Sequence, residues 1–209
     1  MARSAEQPAP EMRDRILSEA TRLFATRGFE STTIQAVAEA VGIRAPSVIH
    51  HFPSKAALRE QVVEDLMSHW KNEIPRLLTA ARSGEDRLSS ALEALVQFLM
   101  ADPYRARLAL RELLDRPGET RGLIEQHLLP WMPLVTDYIR LGQQTGVVRE
   151  DVDPESYVVE VIIMAISTVA LGEVLDTVQS RDDEDRLSAM IRELVRMARD
   201  SLFVGGEPA

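Results

Sequence analysis

Apolar residues recur at intervals of three and four along nearly the whole chain, and no stretch alternates apolar and polar positions as a half-buried strand does. No Asn-Gly or Asp-Gly hairpin turn breaks the pattern, and no repeat period runs through it, so the fold is predicted to be all-α. Ile16, Ala20, Leu23 and Phe24 mark an opening helix from about Pro10 to Arg27, which Gly28 and Phe29 are expected to end as a left-handed cap with a hydrophobic contact. Ile34, Val37, Ala38 and Val41 mark a second helix of about two turns. Thr32, followed three residues on by Gln35, has the spacing of a capping box, so this helix starts near Thr32 or Thr33. Gly42 supplies the left-handed conformation of a tight turn, and Pro46 sits in the first turn of a short third helix. Val48 and Phe52 of that helix face inward, while Arg44, Ala45, Ser47, His50 and His51 stay outside.

Beyond this point the helices lengthen. A fourth runs from Ser54 or Lys55 to about Ala81, with a bend expected at Pro75. Others follow at about Glu85 to Ala101, Asp102 to Asp115 and Glu119 to Gln144, separated by Asp102-Pro103 and Pro117-Gly118, the last kinked or interrupted by Pro130 and Pro133. Asp153, Pro154 and Glu155 combine a capping side chain, a first-turn proline and an acid at the positive end of the dipole, which makes a strong helix start. The helix they open, Pro154 to Val178, is apolar around most of its girth. The next, Asp182 to Phe203, carries Leu187, Ile191, Leu194, Ala198 and Leu202 at spacings of 4, 3, 4 and 4. Two readings of this pair are open. Val161, Ala165, Thr168 and Gly172 with Leu187, Ile191, Leu194 and Ala198 form a dimer interface in a two-chain four-helix bundle, or both helices close the core of one chain.

Composition narrows the class. At 209 residues and 45% apolar content the chain can hold a small domain over residues 1–55 and a larger helical one over 56–209. With no cysteine there are no disulfides, cysteine-based metal sites or thiol nucleophiles. Residues 1–10 contain no apolar run and read as a disordered tail rather than a signal peptide. The longest charge-free run, Val161 to Gly172, has 12 residues and is too short to cross a bilayer, so a soluble, cytoplasmic protein without a membrane partner is expected. Neither G-x-S-x-G, a Walker loop nor H-E-x-x-H occurs, and none of His50, His51, His69 and His127 follows a glutamate by three residues as a di-iron bundle requires. His50 and His51 are adjacent on a helix and point about 100° apart, which does not suit a metal. No enzyme, cofactor or metal is expected.

Residues 28–55, with GFESTT, IQAVAEAVGI, APSVIHHF and PSK, resemble the helix-turn-helix domain of the tetracycline-repressor (TetR) family of bacterial transcription regulators. The rest of the chain matches that family in length, helix rhythm and the run GVVREDVDPES before a long apolar helix. The resemblance implies a ligand-responsive repressor that binds a palindromic double-stranded DNA operator as a homodimer, through a three-helix reading domain followed by a helical ligand-binding and dimerisation domain. It also implies phosphate contacts from Thr32 or Thr33 and from Lys55, and groove contacts from Arg44, Ala45, Pro46, Ser47 and His50, with His51 either half-packed or a further contact. Arg44 is the strongest candidate for base readout, since a guanidinium pairs bidentately with guanine, unless it is a solvated surface arginine. One departure is Ile49, where the family usually has a tyrosine whose phenol reaches a phosphate. Arg3 in the tail is a further candidate for the minor groove.

An unidentified small-molecule effector is implied too. Phe98, Met100, Arg107, Leu110, His127, Trp131, Tyr138 and Met164 are its candidate pocket, chosen as bulky or polar side chains on apolar stretches near the prolines; ordinary core packing is the other reading of each. In the family, such a ligand tilts the fourth helix and respaces the two reading heads. Net charge is −9, yet residues 1–55 hold seven basic against six acidic side chains, so this part carries +1 and the remaining 154 residues −10. DNA binding must then rest on locally placed cations and helix N-termini, and be salt-sensitive. The class that competes with a regulator is a helical protein-interaction adaptor whose helix-turn-helix is architectural.

Overall fold

The computed structural model describes residues 11–80, 84–175 and 186–204, with side chains placed throughout these except at 69–80, 84–89, 173–175 and 186. Its helices are α1 (Met12–Arg27), α2 (Ile34–Val41), α3 (Ala45–His51), α4 (Lys55–Ala80), α5 (Gly84–Ala101), α6 (Pro103–Asp115), α7 (Pro117–His127), α8 (Met132–Gln144), α9 (Pro154–Leu175) and α10 (Arg186–Leu202). Among the described residues there is no strand, only an isolated bridge between Val148 and Phe203. Arg3, the expected helix segments at 176–178 and 182–185, and the side chain of Pro75 lie outside the described residues.

The chain divides into two compact units, one ending at Asp65 and one beginning at Leu66. This is ten residues later than the boundary expected at 55, because Leu58, Val62 and Val63 of α4 are buried with the first three helices. In the first unit Ile16, Leu23 and Phe24 of α1, Val37 and Ala38 of α2, and Val48 of α3 are all at most 1% exposed. Apart from Ala38, each such side chain contributes about 1.5–3 kcal/mol relative to exposure.

Local polar bonds shape the turns between these helices. Gly28 leaves α1 with φ 81° and ψ 164°, a positive-φ conformation almost confined to glycine but not the left-handed helical cap, and the Phe29 ring that follows lies 5.6 Å from that of Phe24. Thr33, not Thr32, caps α2: its hydroxyl accepts from Ala36 N–H at 3.0 Å. Thr32 is fully buried and donates to Gly28 O at 2.8 Å and Leu23 O at 3.3 Å, tying the turn back onto α1. The expected capping box does not form, since the Gln35 amide donates to Glu39 at 3.0 Å. At the other end Gly42 has φ 78° and ψ 32°, and the bonds Gly42 N–H to Glu39 O and Ile43 N–H to Ala38 O are the pair of a Schellman motif.

In the second unit α9 is central and packs on α5, α6, α8 and α10. One core joins Leu92, Val96, Leu99, Ala106, Val161, Ala165, Val169 and Leu194, with Ala170 and Ala198 between them. A smaller one joins Ile139, Val148, Val158 and Leu202. The phenol of Tyr157 on α9 donates to Ala198 O on α10 at 2.7 Å, and its burial pushes its pKa above the usual tyrosine range. The α8–α9 loop is tied to the end of α10 by Arg149 N–H to Leu202 O and Val204 N–H to Val147 O, both at 3.0 Å. By length and composition Pro154–Gly172 could cross a membrane, but here it is the central helix of a packed unit.

Three sequence expectations change. Pro117 and Gly118 open α7 instead of separating helices, because proline is well placed where the first N–H has no partner. The helix expected over 119–144 is two, α7 and α8, with Pro130 in the break and Pro133 in the first turn of α8. Val161, Ala165, Leu194 and Ala198, expected at a dimer seam, are at most 7% exposed inside the chain's own core. Gly172 is likewise buried, facing Leu187 so closely that an added Cβ would lie 3.2 Å from it, while Thr168 and Ile191 are half-buried. Apolar spacing reveals a stripe but not which neighbour covers it. The exposed apolar side chains of these helices are others: Val159, Ile163 and Leu171 on α9 and Met197 on α10.

Gly42→Ala is expected to destabilise the first unit by about 1–2 kcal/mol in chemical denaturation. An added Cβ meets nothing within 4 Å there, so the cost is that of the backbone conformation alone, and Gly42→Asn should be milder. Thr32→Val should cost about 1 kcal/mol through loss of the one hydroxyl proton shared between Gly28 O and Leu23 O; no loss would mean that this bond does not hold the turn.

Candidate nucleic-acid interface

Two short helices meeting at a glycine turn set the geometry. At 100° per residue, Val48 and Phe52, 0% and 3% exposed, place the inner side of α3 with half-buried Ala45. Pro46, Ser47 and His50 then point away from the unit, with Ile49 on one flank and His51 on the other; all five are exposed. Arg44 precedes the helix as an exposed N-cap residue with φ −91° and ψ 148°. Thus Arg44, Pro46, Ser47, His50 and His51 share one solvent-facing surface, with Ala45 partly beneath it. His51 is not half-packed as one sequence reading had it: it is exposed, its ring 5.6 Å from that of His50 and 6.4 Å from that of Phe52.

The two threonines part company. Thr33 is exposed beside the free N–H groups that open α2, where a phosphate oxygen is favourably met. Thr32 has no exposed surface and spends its hydroxyl inside the unit, so it is not available to DNA. Lys55 is half-buried; its ammonium donates to Phe29 O at 2.9 Å and Glu30 O at 3.3 Å and lies 4.3 Å from the Phe29 ring centre. It therefore latches the start of α4 onto the α1–α2 turn, whatever its third proton meets.

Sequence reading missed the positioning residues. Arg15 of α1 donates from Nη2 to Val41 O at 2.9 Å, supplying a cation to the carbonyl end of α2. Arg59, only 8% exposed, lies 5.7 Å from the Phe29 ring centre, and Arg13 lies 5.3 Å from that of Phe52. Nothing in their spacing announces these roles, which depend on contacts between helices.

In the second unit, Phe98 and Met100 of α5, Leu110 of α6 and Met164 of α9 are half-buried around the main core. Arg105 donates to Phe98 O at 3.0 Å and lies 4.4 Å from the Phe98 ring centre. Arg107 reaches from α6 to Ala170 O of α9 at 3.3 Å. His127 is buried at the end of α7 and Tyr138 half-buried on α8. Trp131, in the α7–α8 turn, holds its indole Nε1 buried without a hydrogen-bond partner among the described residues. The core thus brings together the apolar candidates, while His127, Trp131 and Tyr138 belong to the α7–α8 segment. Thr120, Thr136 and Glu112 are buried polar residues that sequence reading did not single out.

Residues 16–62 match the family model for bacterial regulatory proteins of the tetR family, and residues 84–183 match that for the tetracyclin repressor-like C-terminal domain. The chain is 29% identical over 156 residues to the HTH-type transcriptional repressor KstR2 of Mycolicibacterium smegmatis, a span covering 70% of this chain and 72% of that protein. The structure of the ketosteroid transcriptional regulator KstR2 of Mycobacterium tuberculosis superposes with a TM-score of 0.71 at 16% identity, covering 97% of this chain and 99% of that one. That of the fatty acid degradation regulator FadR of Bacillus halodurans also reaches 0.71, at 18% identity, over 92% and 97%. Two successive family models on one chain, a short helix after a glycine turn with its polar face outward and a fold shared end to end with known regulators agree: this protein belongs to the tetR family of bacterial regulatory proteins and is a DNA-binding transcriptional regulator.

Proposed function

We propose that the chain acts in the cytoplasm as a homodimeric repressor, that each protomer lays α3 in the major groove of one half of a palindromic operator, and that a small molecule held in the second unit releases it. The observation that carries this reading is the surface of α3, where Arg44, Pro46, Ser47 and His50 stand exposed opposite the buried Val48. Arg44 and Ser47 reach base edges, while Thr33 and the third proton of Lys55 meet phosphates and set register.

The dimer face comprises Val159, Ile163 and Leu171 of α9 with Met197 of α10. These side chains are 40–50% exposed and lie on the two helices whose inner stripes already close the core. Pairing two copies of this face completes a four-helix bundle from surface that one chain leaves uncovered. The effector site lies among the half-buried apolar side chains Phe98, Met100, Leu110 and Met164, with Arg107 as a polar anchor. That lining suits a largely apolar molecule carrying a hydrogen-bond acceptor, in keeping with the ketosteroid and fatty acid regulators that share the fold.

Selection of bound genomic fragments by the purified protein at two salt concentrations should enrich one short palindrome, more sharply at the higher salt. Enrichment of no sequence would sink the repressor reading. With that operator, Arg44→Ala is expected to relax preference at one or two base pairs per half-site, at about 1–3 kcal/mol. Lys55→Ala should weaken binding to all sequences and lower stability as well, since its ammonium bonds two backbone carbonyls; identical sequence profiles for the two variants would dissolve the division of roles. For the dimer, Ile163→Arg should give folded monomers in sedimentation, whereas Leu194→Arg should unfold the second unit by burying a charge. A dimer that survives Ile163→Arg places the interface elsewhere.

A further inference from the structure

The reading unit is poor in available positive charge. Residues 11–65 hold seven basic and eight acidic side chains. Most of the cations already serve the unit itself: Arg15 on Val41 O, Arg22 paired with Glu19 at 2.8 Å, Lys55 with two of its three protons on the Phe29 and Glu30 carbonyls, Arg59 buried beside Phe29, and Arg13 over Phe52. On the outward surface of α3 this leaves Arg44, and beside it two exposed imidazoles, His50 and His51. The two rings lie 5.6 Å apart, that of His51 lies 6.4 Å from the Phe52 ring, and among the described residues neither imidazole is hydrogen bonded or ion-paired.

We propose that His50 and His51 couple operator binding to proton uptake, so that the imidazolium form supplies the charge this reading head otherwise lacks. The inference rests on α3 being the helix that enters the groove. His50 points directly away from the buried Val48 and so faces base edges; a neutral imidazole offers one donor there, an imidazolium two. His51, about 100° round the helix, flanks the groove and faces a phosphate, where a positive ring gains most. Charged groups on the neighbouring elements do not substitute for this. Glu39, the one acid of α2, accepts from Gln35. On α1, Arg13 lies over the same Phe52 ring that His51 approaches and stands between Glu11 and Asp14 in the first turn, while Lys55 and Arg59 of α4 lie over Phe29. Histidines change charge between about pH 5 and 8, on either side of neutrality. If DNA favours the protonated ring, then protonation favours DNA by the same factor.

The sign follows. Bound heads hold more protons than free ones, so affinity rises as pH falls, by up to about tenfold per pH unit for each proton linked. The test is fluorescence anisotropy of the full-length protein with its labelled palindromic operator from about pH 6 to about pH 8 at constant ionic strength. Wild type should lose at least about tenfold in affinity across that range. The double variant H50Q/H51Q, neutral at every pH, should bind weakly with a flat profile, and H50N/H51N should repeat this with a smaller side chain. H50R/H51R should stay tight and equally flat. The slope of log affinity against log salt should steepen at low pH by about 0.9 for each additional phosphate neutralised, in wild type alone. A flat wild-type profile, or a pH dependence that survives in H50Q/H51Q, overturns the coupling while leaving the reading helix in place. Failure of wild type to retain any duplex at any pH overturns the reading helix along with it.

Discussion

A helix of seven residues is far too short to hold its own shape in water. α3 exists because two side chains, Val48 within it and Phe52 at its end, are pressed into the first unit, and because Gly42 turns the chain tightly enough to deliver them there. The whole outer surface of α3 depends on that inner contact. Among the described residues, no hydrogen bond joins the outer side chains of α3 to one another, and their positions are inherited from the core beneath. This accounts for the investment in turns: a Schellman motif after α2, a buried threonine hydroxyl before it, and Lys55 and Arg59 closing over Phe29.

Those supports have a cost in charge. A regulator must present cations to a polyanion, yet several cations of this unit are turned inward onto carbonyls and rings. Cation–carbonyl and cation–ring contacts are stronger than neutral ones, at about 1.5–3 kcal/mol for the former, so a small unit gains much from them. The balance left for the interface is slight, and the acidic second unit repels DNA wherever it is not held by contact. The operator contact proposed for α3 would then rest on a few well-placed groups rather than on a broad basic surface.

What could be read from the sequence divides along a physical line. Features written in local chemistry were legible: Gly42 as a left-handed turn, Pro46 in a first helical turn, Asp153 and Pro154 opening a helix, Val48 and Phe52 as the inner side of α3. Where two neighbours could each do the same local job, reading was ambiguous; Thr33 caps while Thr32 is buried, and only the packing of the turn against α1 decides between them. Features that depend on partners distant in sequence were misread or missed. Val161 and Leu194 show the spacing of a seam, but so does any helix against its own core, and α9 is apolar on enough sides that periodicity names no neighbour. Arg15 and Arg59 look like ordinary surface cations because their partners are backbone carbonyls and rings brought close only by folding.

The tie between the α8–α9 loop and the end of α10 bears on how the protein is made. Val147 and Val148 find their partners at Phe203 and Val204, and the core around α9 lacks Leu194 and Ala198 until α10 is present. The first unit is built from one contiguous segment and can fold as soon as it leaves the ribosome. The second cannot close until residues near position 204 have emerged, so α9, already backed by α5, α6 and α8, waits with the side that α10 will cover still open. A ribosome that stalls late would release a chain with a finished reading head and an unfinished body, the kind of product that chaperones and proteases must handle.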